Sequence, residues 1–158
     1  MKTKYKYLLM GIIFAVALGI DLITKYLFCN ISYTRIIPYL IAFQTNGGNT
    51  GAAFGLFSKS TTFLIISSIA IVVALIAVDI LMKAKGKTYT IGFALVLAGA
   101  VGNFVDRVLL GYVRDFIMFD FWKAFPIFNF ADTCIVIGAV LMCVHFIFLS
   151  KADKNGTN

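Results

Sequence analysis

The chain has 158 residues, of which 61% are hydrophobic and only 13% charged, and its mean hydropathy is +0.94; a soluble domain carries about 45–50% apolar and about 25% charged residues. A fold of this size cannot hide so much apolar surface from water, so the composition excludes an ordinary soluble domain together with the disordered, collagenous and disulfide-scaffold classes, and leaves an integral membrane protein. The balance of 14 Lys plus Arg against 7 acids, every one of them Asp, gives a net charge of +7; because the lysines flank apolar segments, that charge points to anionic lipid and topology rather than to nucleic acid.

Four stretches are long enough to cross about 30 Å of hydrocarbon: residues 7–28, 61–82, 88–105 and 125–150. Lys2, Lys4 and Lys6 precede the first. It carries the small-x-small sequence Ala15-Val16-Ala17, but its apolar run continues beyond that point, so it is expected to remain as an uncleaved span. The connection 29–60 alternates apolar and polar residues weakly over 33–45 and reaches the turn-forming cluster Gly47-Gly48-Asn49-Thr50-Gly51. Asp79 in the second span has Lys83 at i+4 and reads as a snorkelling pair. Lys83, Lys85 and Lys87 fill the tight turn into the third span, which Asp106 and Arg107 close. The connection 106–124 holds Tyr112, Phe116, Phe119, Phe121 and Trp122, suited to headgroup depth. On the fourth span His145 stands alone and reads as packed or lipid-facing; Lys151 and Lys154 follow.

The positive-inside rule then puts both termini in the cytoplasm and the two long connections outside. The expected fold is a single all-α membrane domain over 1–158, with four transmembrane helices and a small, partly β extracytoplasmic subregion. Cys29, Cys134 and Cys143 have no metal or disulfide spacing. Cys134 and Cys143 fall on opposite faces of one helix at about 100° per residue and read as inert thiols.

Charges inside a membrane are costly, so each Asp near a span requires an account. Asp21 lies seven residues before Phe28 and Asp132 seven after Phe125, which sets both roughly 10 Å below the outer boundary. Asp106, Asp115 and Asp120 fall on the same side. Asp21 and Lys25 have the favourable order for a helical ion pair, and Asn49 among glycines reads as a turn residue. Asp115 in the frame Val113-Arg114-Asp115-Phe116-Ile117, and Asp132 within a span, invite acid–base chemistry. Two carboxyl groups sharing one site ionise unequally, leaving one to take a proton from water and one to polarise a carbonyl. A structural polar cluster and an ion path stay open on spacing alone. A small ion or proton-coupled carrier needs polar groups across the whole membrane, and the inner half offers only Asp79 and His145. A non-enzymatic assembly subunit would use small residues such as Gly92, Ala94, Ala98 and Gly102 for helix packing.

Five segments, in order, resemble the sequence boxes of the lipoprotein signal peptidases, or signal peptidase II. They are Asp21-Leu22-Ile23-Thr24-Lys25, Asn49-Thr50-Gly51-Ala52-Ala53-Phe54, Gly99-Ala100-Val101-Gly102-Asn103-Phe104-Val105-Asp106-Arg107, Val113-Arg114-Asp115-Phe116-Ile117, and Phe125-Pro126-Ile127-Phe128-Asn129-Phe130-Ala131-Asp132. The resemblance covers the whole chain. It implies a bacterial inner-membrane aspartic endopeptidase that cuts prolipoproteins just before a diacylglyceryl-modified cysteine, near the outer face, with no cofactor and no metal. It implies Asp115 and Asp132 as the catalytic pair, with Asp21, Lys25, Asn49, Gly51, Asn103, Asp106, Arg107 and Asn129 shaping or supporting the pocket. The expected partners are lipid-modified prolipoproteins and membrane lipid, with no nucleic acid, and the expected state is a monomer. The first outer connection, carrying Asn49, is read as closing over the substrate. Two residues depart from the family pattern: Arg114, where a small or β-branched residue is usual, and Gly48, where a bulkier one is. Strand alternation would point Arg114 away from Asp115; folded inward, it would depress that carboxylate. Phe28 before Cys29 is too large for a lipobox, so the chain does not resemble its own substrate.

Overall fold

A computed structural model of the chain describes residues 3–45, 61–82, 84 and 86–149. In chain order the elements are α1 (Thr3–Phe28), β1 (Thr34–Ile37), β2 (Ile41–Phe43), α2 (Thr61–Met82), α3 (Lys87–Leu110), β3 (Ile117–Phe119) and α4 (Phe130–Val144), the last running on into a π-helical turn, His145–Leu149. Among the described residues four helices are long and apolar enough to cross a membrane. The two prolines, Pro38 and Pro126, both fall in connections, so each helix keeps an unbroken ladder of backbone hydrogen bonds, as hydrocarbon requires.

α3 is the axis of the bundle, packing against α4, α1 and α2. Small residues allow this. A Cβ added to Gly92 of α3 would lie 2.7 Å from the Gly138 carbonyl oxygen of α4, so the two backbones touch where the side chains are absent. Ala17, Ala98 and Cys134 form an apolar layer joining the middle of α1 and α3 to the second turn of α4. Below it Met10, Tyr89, Phe93 and Ala94 pack together. The leucines, isoleucines and valines of the outer faces stay exposed, the arrangement expected where the solvent is lipid.

At the end of the bundle where α1 and α3 stop and α4 starts, a three-stranded antiparallel sheet has the order β1-β2-β3. The alternation over 33–45 supplies β1 and β2, paired Thr34 with Phe43 and Ile37 with Ile41 across a bulge between Arg35 and Ile37. Tyr39, after Pro38, turns the hairpin with φ of 60°. β3 comes from the second connection and pairs Ile41 with Phe119 and Phe43 with Ile117.

Several helix boundaries differ from the expected ones. α1 begins at Thr3, earlier than residue 7, so Lys4 and Lys6 lie within it. α3 runs past residue 105 to Leu110, where Gly111 enters the left-handed region at φ 81° and its N–H bonds the Arg107 carbonyl. Asp106 therefore sits one turn inside the helix. α4 starts at Phe130 rather than residue 125, because Pro126 interrupts the apolar run and Asn129 caps the helix. Asp132 is thus in the first turn of α4, not two turns deep. Asp79 is buried rather than snorkelling and pairs with Lys6 of α1 at 2.7 Å; the expected Asp79–Lys83 pair involves a residue outside the described ones. His145 is buried, its ring 5.7 Å from Tyr89 and 5.4 Å from Phe146, so it is packed rather than lipid-facing.

Candidate active site

Asn129 organises the site. Its extended backbone, with φ of −133°, ends the connection after β3 and begins α4. Its Oδ1 accepts from the Asp132 N–H at 3.0 Å while the Asp132 Oδ2 accepts from the Asn129 N–H at 3.1 Å. This reciprocal capping box satisfies two backbone donors and locks the Asp132 carboxylate at a helix N-terminus, where the dipole favours negative charge. The other carboxylate oxygen, Oδ1, accepts from Asn103 Nδ2 at 2.8 Å.

Asp115 arrives from the opposite direction. It precedes β3 on an extended segment that is pinned when the Phe116 and Ile117 N–H groups both donate to the Phe128 carbonyl, at 3.0 and 2.8 Å. Asn129 Nδ2 then donates to Asp115 Oδ1 at 2.6 Å and to Asn103 Oδ1 at 3.1 Å. One asparagine therefore bonds both carboxylates, one through its side chain and one through its backbone.

A second layer supports this contact. Lys25 Nζ donates to Asn103 Oδ1 at 2.9 Å and pairs with Asp21 Oδ2 at 2.8 Å and Asp106 Oδ2 at 3.7 Å, with no exposure of the lysine side chain. Asp21 Oδ1 accepts from the Ala131 N–H at 2.9 Å, a further free donor of the α4 N-terminus. Asp21 reaches it across Gly102, where any Cβ would collide with Oδ2. Asp106 accepts from Arg114 Nη2 at 2.6 Å and from the Arg114 backbone N–H at 3.0 Å, so it anchors the residue immediately before Asp115. The Arg114 guanidinium is raised above its ordinary range, first by this hydrogen bonding and next opposed by burial. Its side chain is committed to Asp106, which answers the question left by its position beside Asp115.

Asp21, Lys25, Asn103, Asp106, Asp115, Asn129 and Asp132 are thus one continuous polar network. Arg107 stands beside it: Nη1 donates to Ser68 of α2 at 3.3 Å, and buried Nε makes no hydrogen bond among the described residues. Asp21, Asp106, Asp115 and Asp132 stand among three basic residues, Lys25, Arg107 and Arg114. Aromatic rings wall off one side, with Phe28 centred 4.6 Å from Phe43 and 5.3 Å from Phe116.

Asn49 and Gly51, and with them the expected closing segment, lie outside the described residues. Asp120 belongs elsewhere: Tyr33 Oη donates to it at 2.7 Å and Arg35 Nε lies 3.1 Å away. The anchoring role of Arg114 and the Ser68 contact were not found from sequence. Extended-chain alternation sets Arg114 opposite to Asp115 but names no partner, and Ser68 carries no local signal.

A helical membrane enzyme is the class that this fold and site define. Two solved structures described as bacterial membrane enzymes share the fold: one at 2.3 Å resolution has a TM-score of 0.80 and 31% identity, covering 94% of this chain and 91% of its own, and one at 1.9 Å has a TM-score of 0.78 and 32% identity, covering 89% and 93%. The lipoprotein signal peptidase of Enterococcus faecalis (strain ATCC 700802 / V583) is 39% identical over 152 residues, 93% of this chain and 92% of that protein. That of Staphylococcus aureus is 36% identical over 141 residues, 85% and 86% of the two chains. The family model described as Signal peptidase (SPase) II matches residues 13–148, and the chain belongs to that family.

Proposed function

We propose that the chain is a membrane aspartic endopeptidase that removes signal peptides from prolipoproteins, cutting just before a diacylglyceryl-modified cysteine, with Asp115 and Asp132 as its acid–base pair. The observation that carries the assignment of the pair is Asn129, whose Nδ2 lies 2.6 Å from Asp115 and whose N–H lies 3.1 Å from Asp132. Family membership and the names of the relatives support the reaction.

In the proposed reaction the ionised carboxylate takes a proton from water as the water oxygen bonds to the scissile carbonyl carbon, and the protonated carboxyl gives its proton to the carbonyl oxygen. The tetrahedral intermediate collapses, the C–N bond breaks, and the amine of the cysteine leaves with a proton. Asn129, Asn103, Lys25 and Asp21 hold the pair in place, Asp106 and Arg107 support it, and Asn49 and Gly51 contribute by the family pattern. The flanking lysines support cytoplasmic termini and a site near the outer face of a bacterial inner membrane, where the cleaved bond of a membrane-anchored precursor would lie. Lipid and lipid-modified prolipoproteins are the proposed partners of a monomer, with no role for nucleic acid. The carrier reading lacks support from the relatives, and the apolar layer of Ala17, Ala98 and Cys134 separates the polar site from the inner cluster of Lys6 and Asp79.

Gel-shift cleavage of a diacylglyceryl-modified prolipoprotein by the purified protein, with and without a chelator, tests the proposal. Cleavage in both conditions is expected. Absence of cleavage by correctly folded protein, or its abolition by the chelator, would overturn it.

A further inference from the structure

Two cations meet the Asp106 carboxylate, and they hold it unequally. Arg114 Nη2 donates to Oδ1 at 2.6 Å, Arg114 Nε lies 3.2 Å from both oxygens, and the Arg114 backbone N–H donates to Oδ2 at 3.0 Å. Lys25 Nζ stands 3.7 Å from the same carboxylate, against 2.8 Å to Asp21 Oδ2 and 2.9 Å to Asn103 Oδ1. A guanidinium fork matches both oxygens of a carboxylate as a single ammonium does not. Arg114 therefore takes Asp106 and leaves Lys25 turned to Asp21 and Asn103.

That division reaches both members of the acid–base pair. Asn103 Oδ1 accepts from Lys25 and from Asn129 Nδ2, at 2.9 and 3.1 Å, which leaves Asn103 Nδ2 to face Asp132 Oδ1 at 2.8 Å. An amide turned the other way would set an oxygen against the carboxylate, so Lys25 decides which end of Asn103 meets Asp132. On the other side, Asp115 stands between two fixed stretches of backbone. Residue 114 is held at side chain and main chain by Asp106, and the N–H groups of Phe116 and Ile117 donate to the Phe128 carbonyl. Without the guanidinium, residue 114 keeps only its backbone bond to Asp106, and Lys25 is the cation left to that carboxylate among the described residues.

We propose that Arg114 is a positioning residue for both carboxylates: it fixes the backbone that presents Asp115, and through Asp106, Lys25 and Asn103 it fixes the donor that faces Asp132. The inference rests on the prolipoprotein reading and adds to it a part for a side chain outside the expected pocket set. Its effect falls on turnover rather than on substrate binding, because a displacement of reacting groups by 1 Å can cost about a hundredfold in rate.

The test measures kcat and KM for a diacylglyceryl-modified prolipoprotein with the full-length parent enzyme, Arg114→Val, Arg114→Lys, Asp106→Asn and the double variant Arg114→Val with Asp106→Asn, each checked by thermal unfolding. Arg114→Val should lower kcat at least about tenfold while KM stays within about twofold. Arg114→Lys, which keeps the charge without the fork, should recover only part of that loss. In the Asp106→Asn background, removal of the guanidinium should cost little further, because its charged partner is already gone. An unchanged kcat in Arg114→Val overturns the proposal, and so does a raised KM with kcat intact, which would put the guanidinium on the substrate. Losses that add in the double variant overturn the route through Asp106. Should Arg114→Val fail to fold, Arg114→Lys carries the test: its kcat should lie below that of the parent with KM unaltered, and parent-like turnover overturns the proposal. If the parent enzyme cuts no prolipoprotein, the prolipoprotein reading itself fails, a result distinct from a parent and an Arg114→Val variant that cut equally well.

Discussion

Lys6 Nζ lies 2.7 Å from Asp79 Oδ1 with both side chains buried, so an ion pair joins α1 to α2 across 73 residues of sequence. Both helices otherwise pack mainly on α3, and among the described residues this pair is the ion pair that ties them to each other. Breaking one half leaves an uncompensated buried charge, a cost of about 3–5 kcal/mol. Asp79→Asn and Lys6→Met should each lower the thermal unfolding temperature of the purified protein clearly. The double substitution Lys6→Met with Asp79→Leu should be less damaging than either single change, because no charge is then stranded. A double variant as unstable as the sum of the singles would show that the pair is not coupled in this way.

This pair also marks the limit of what sequence could reveal. The helices were legible because length and hydropathy suffice for a span, whereas their ends depended on caps: α3 runs past Asp106 until Gly111 ends it, and Asn129 delays α4 beyond Pro126. Asp79 was matched to its helical neighbour Lys83, and its pairing with Lys6, 73 residues away, carried no local signal. β3 is only three residues, Ile117–Phe119, and exists through pairing with a distant hairpin, so no local periodicity announced it. The Asp21–Lys25 pair was readable from its spacing. That Asn129 bonds both Asp115 and Asp132 was not, since it depends on where a strand and a helix cap meet.

A second test concerns the sheet. Tyr33 Oη donates to Asp120, and this bond, followed by the opposing effect of burial and the nearby Arg35 charge, holds the Asp120 carboxyl below its ordinary value of 3.8. A carboxylate with a depressed folded value contributes stability that is complete above the unfolded value and disappears as pH falls through the folded one. Acidification below about pH 4 should therefore loosen the sheet. Tyr33→Phe should lose less stability on acidification than the parent protein does. Equal acid sensitivity of the two in thermal unfolding would remove Tyr33 as the cause.

Gly102 offers a steric test of the layer beneath the pair. A Cβ at this position would collide with Asp21 Oδ2, which reaches past it to Lys25 and the Ala131 N–H. Gly102→Ala should cost about 1–3 kcal/mol as an overpacking change and should reduce cleavage by displacing the α4 N-terminus that carries Asp132. Gly19→Ala is the control, because a Cβ there meets nothing within 4 Å, and the gain in helix propensity should make it neutral or slightly stabilising. Equal behaviour of the two variants would show that Asp21 is not confined by Gly102.

The most exposed prediction concerns the carboxylates themselves. Asp115 and Asp132 are both bonded to Asn129, and the proposed reaction needs a base at the water and an acid at the carbonyl in the same transition state, so neither half is useful alone. Asp115→Asn, Asp132→Asn and the double substitution should all reduce cleavage to nearly the same floor. Additive losses would mean that the two act separately. Asn129→Ala should also lower cleavage strongly while leaving both carboxylates in the chain, because it removes the buried side-chain bonds to Asp115 and Asn103 and the side-chain half of the α4 cap together; its loss in stability should exceed the roughly 1 kcal/mol of an N-cap alone, since each buried group left unsatisfied costs about 1–3 kcal/mol. A substrate mimic with a tetrahedral hydroxyl at the cleaved bond should inhibit the parent enzyme, since it presents the geometry that the pair is arranged to stabilise. Substantial cleavage by Asp132→Asn protein, with its fold shown intact by thermal unfolding, would remove the aspartic mechanism and leave the network around Asn129 as a structural device for joining the sheet to the bundle.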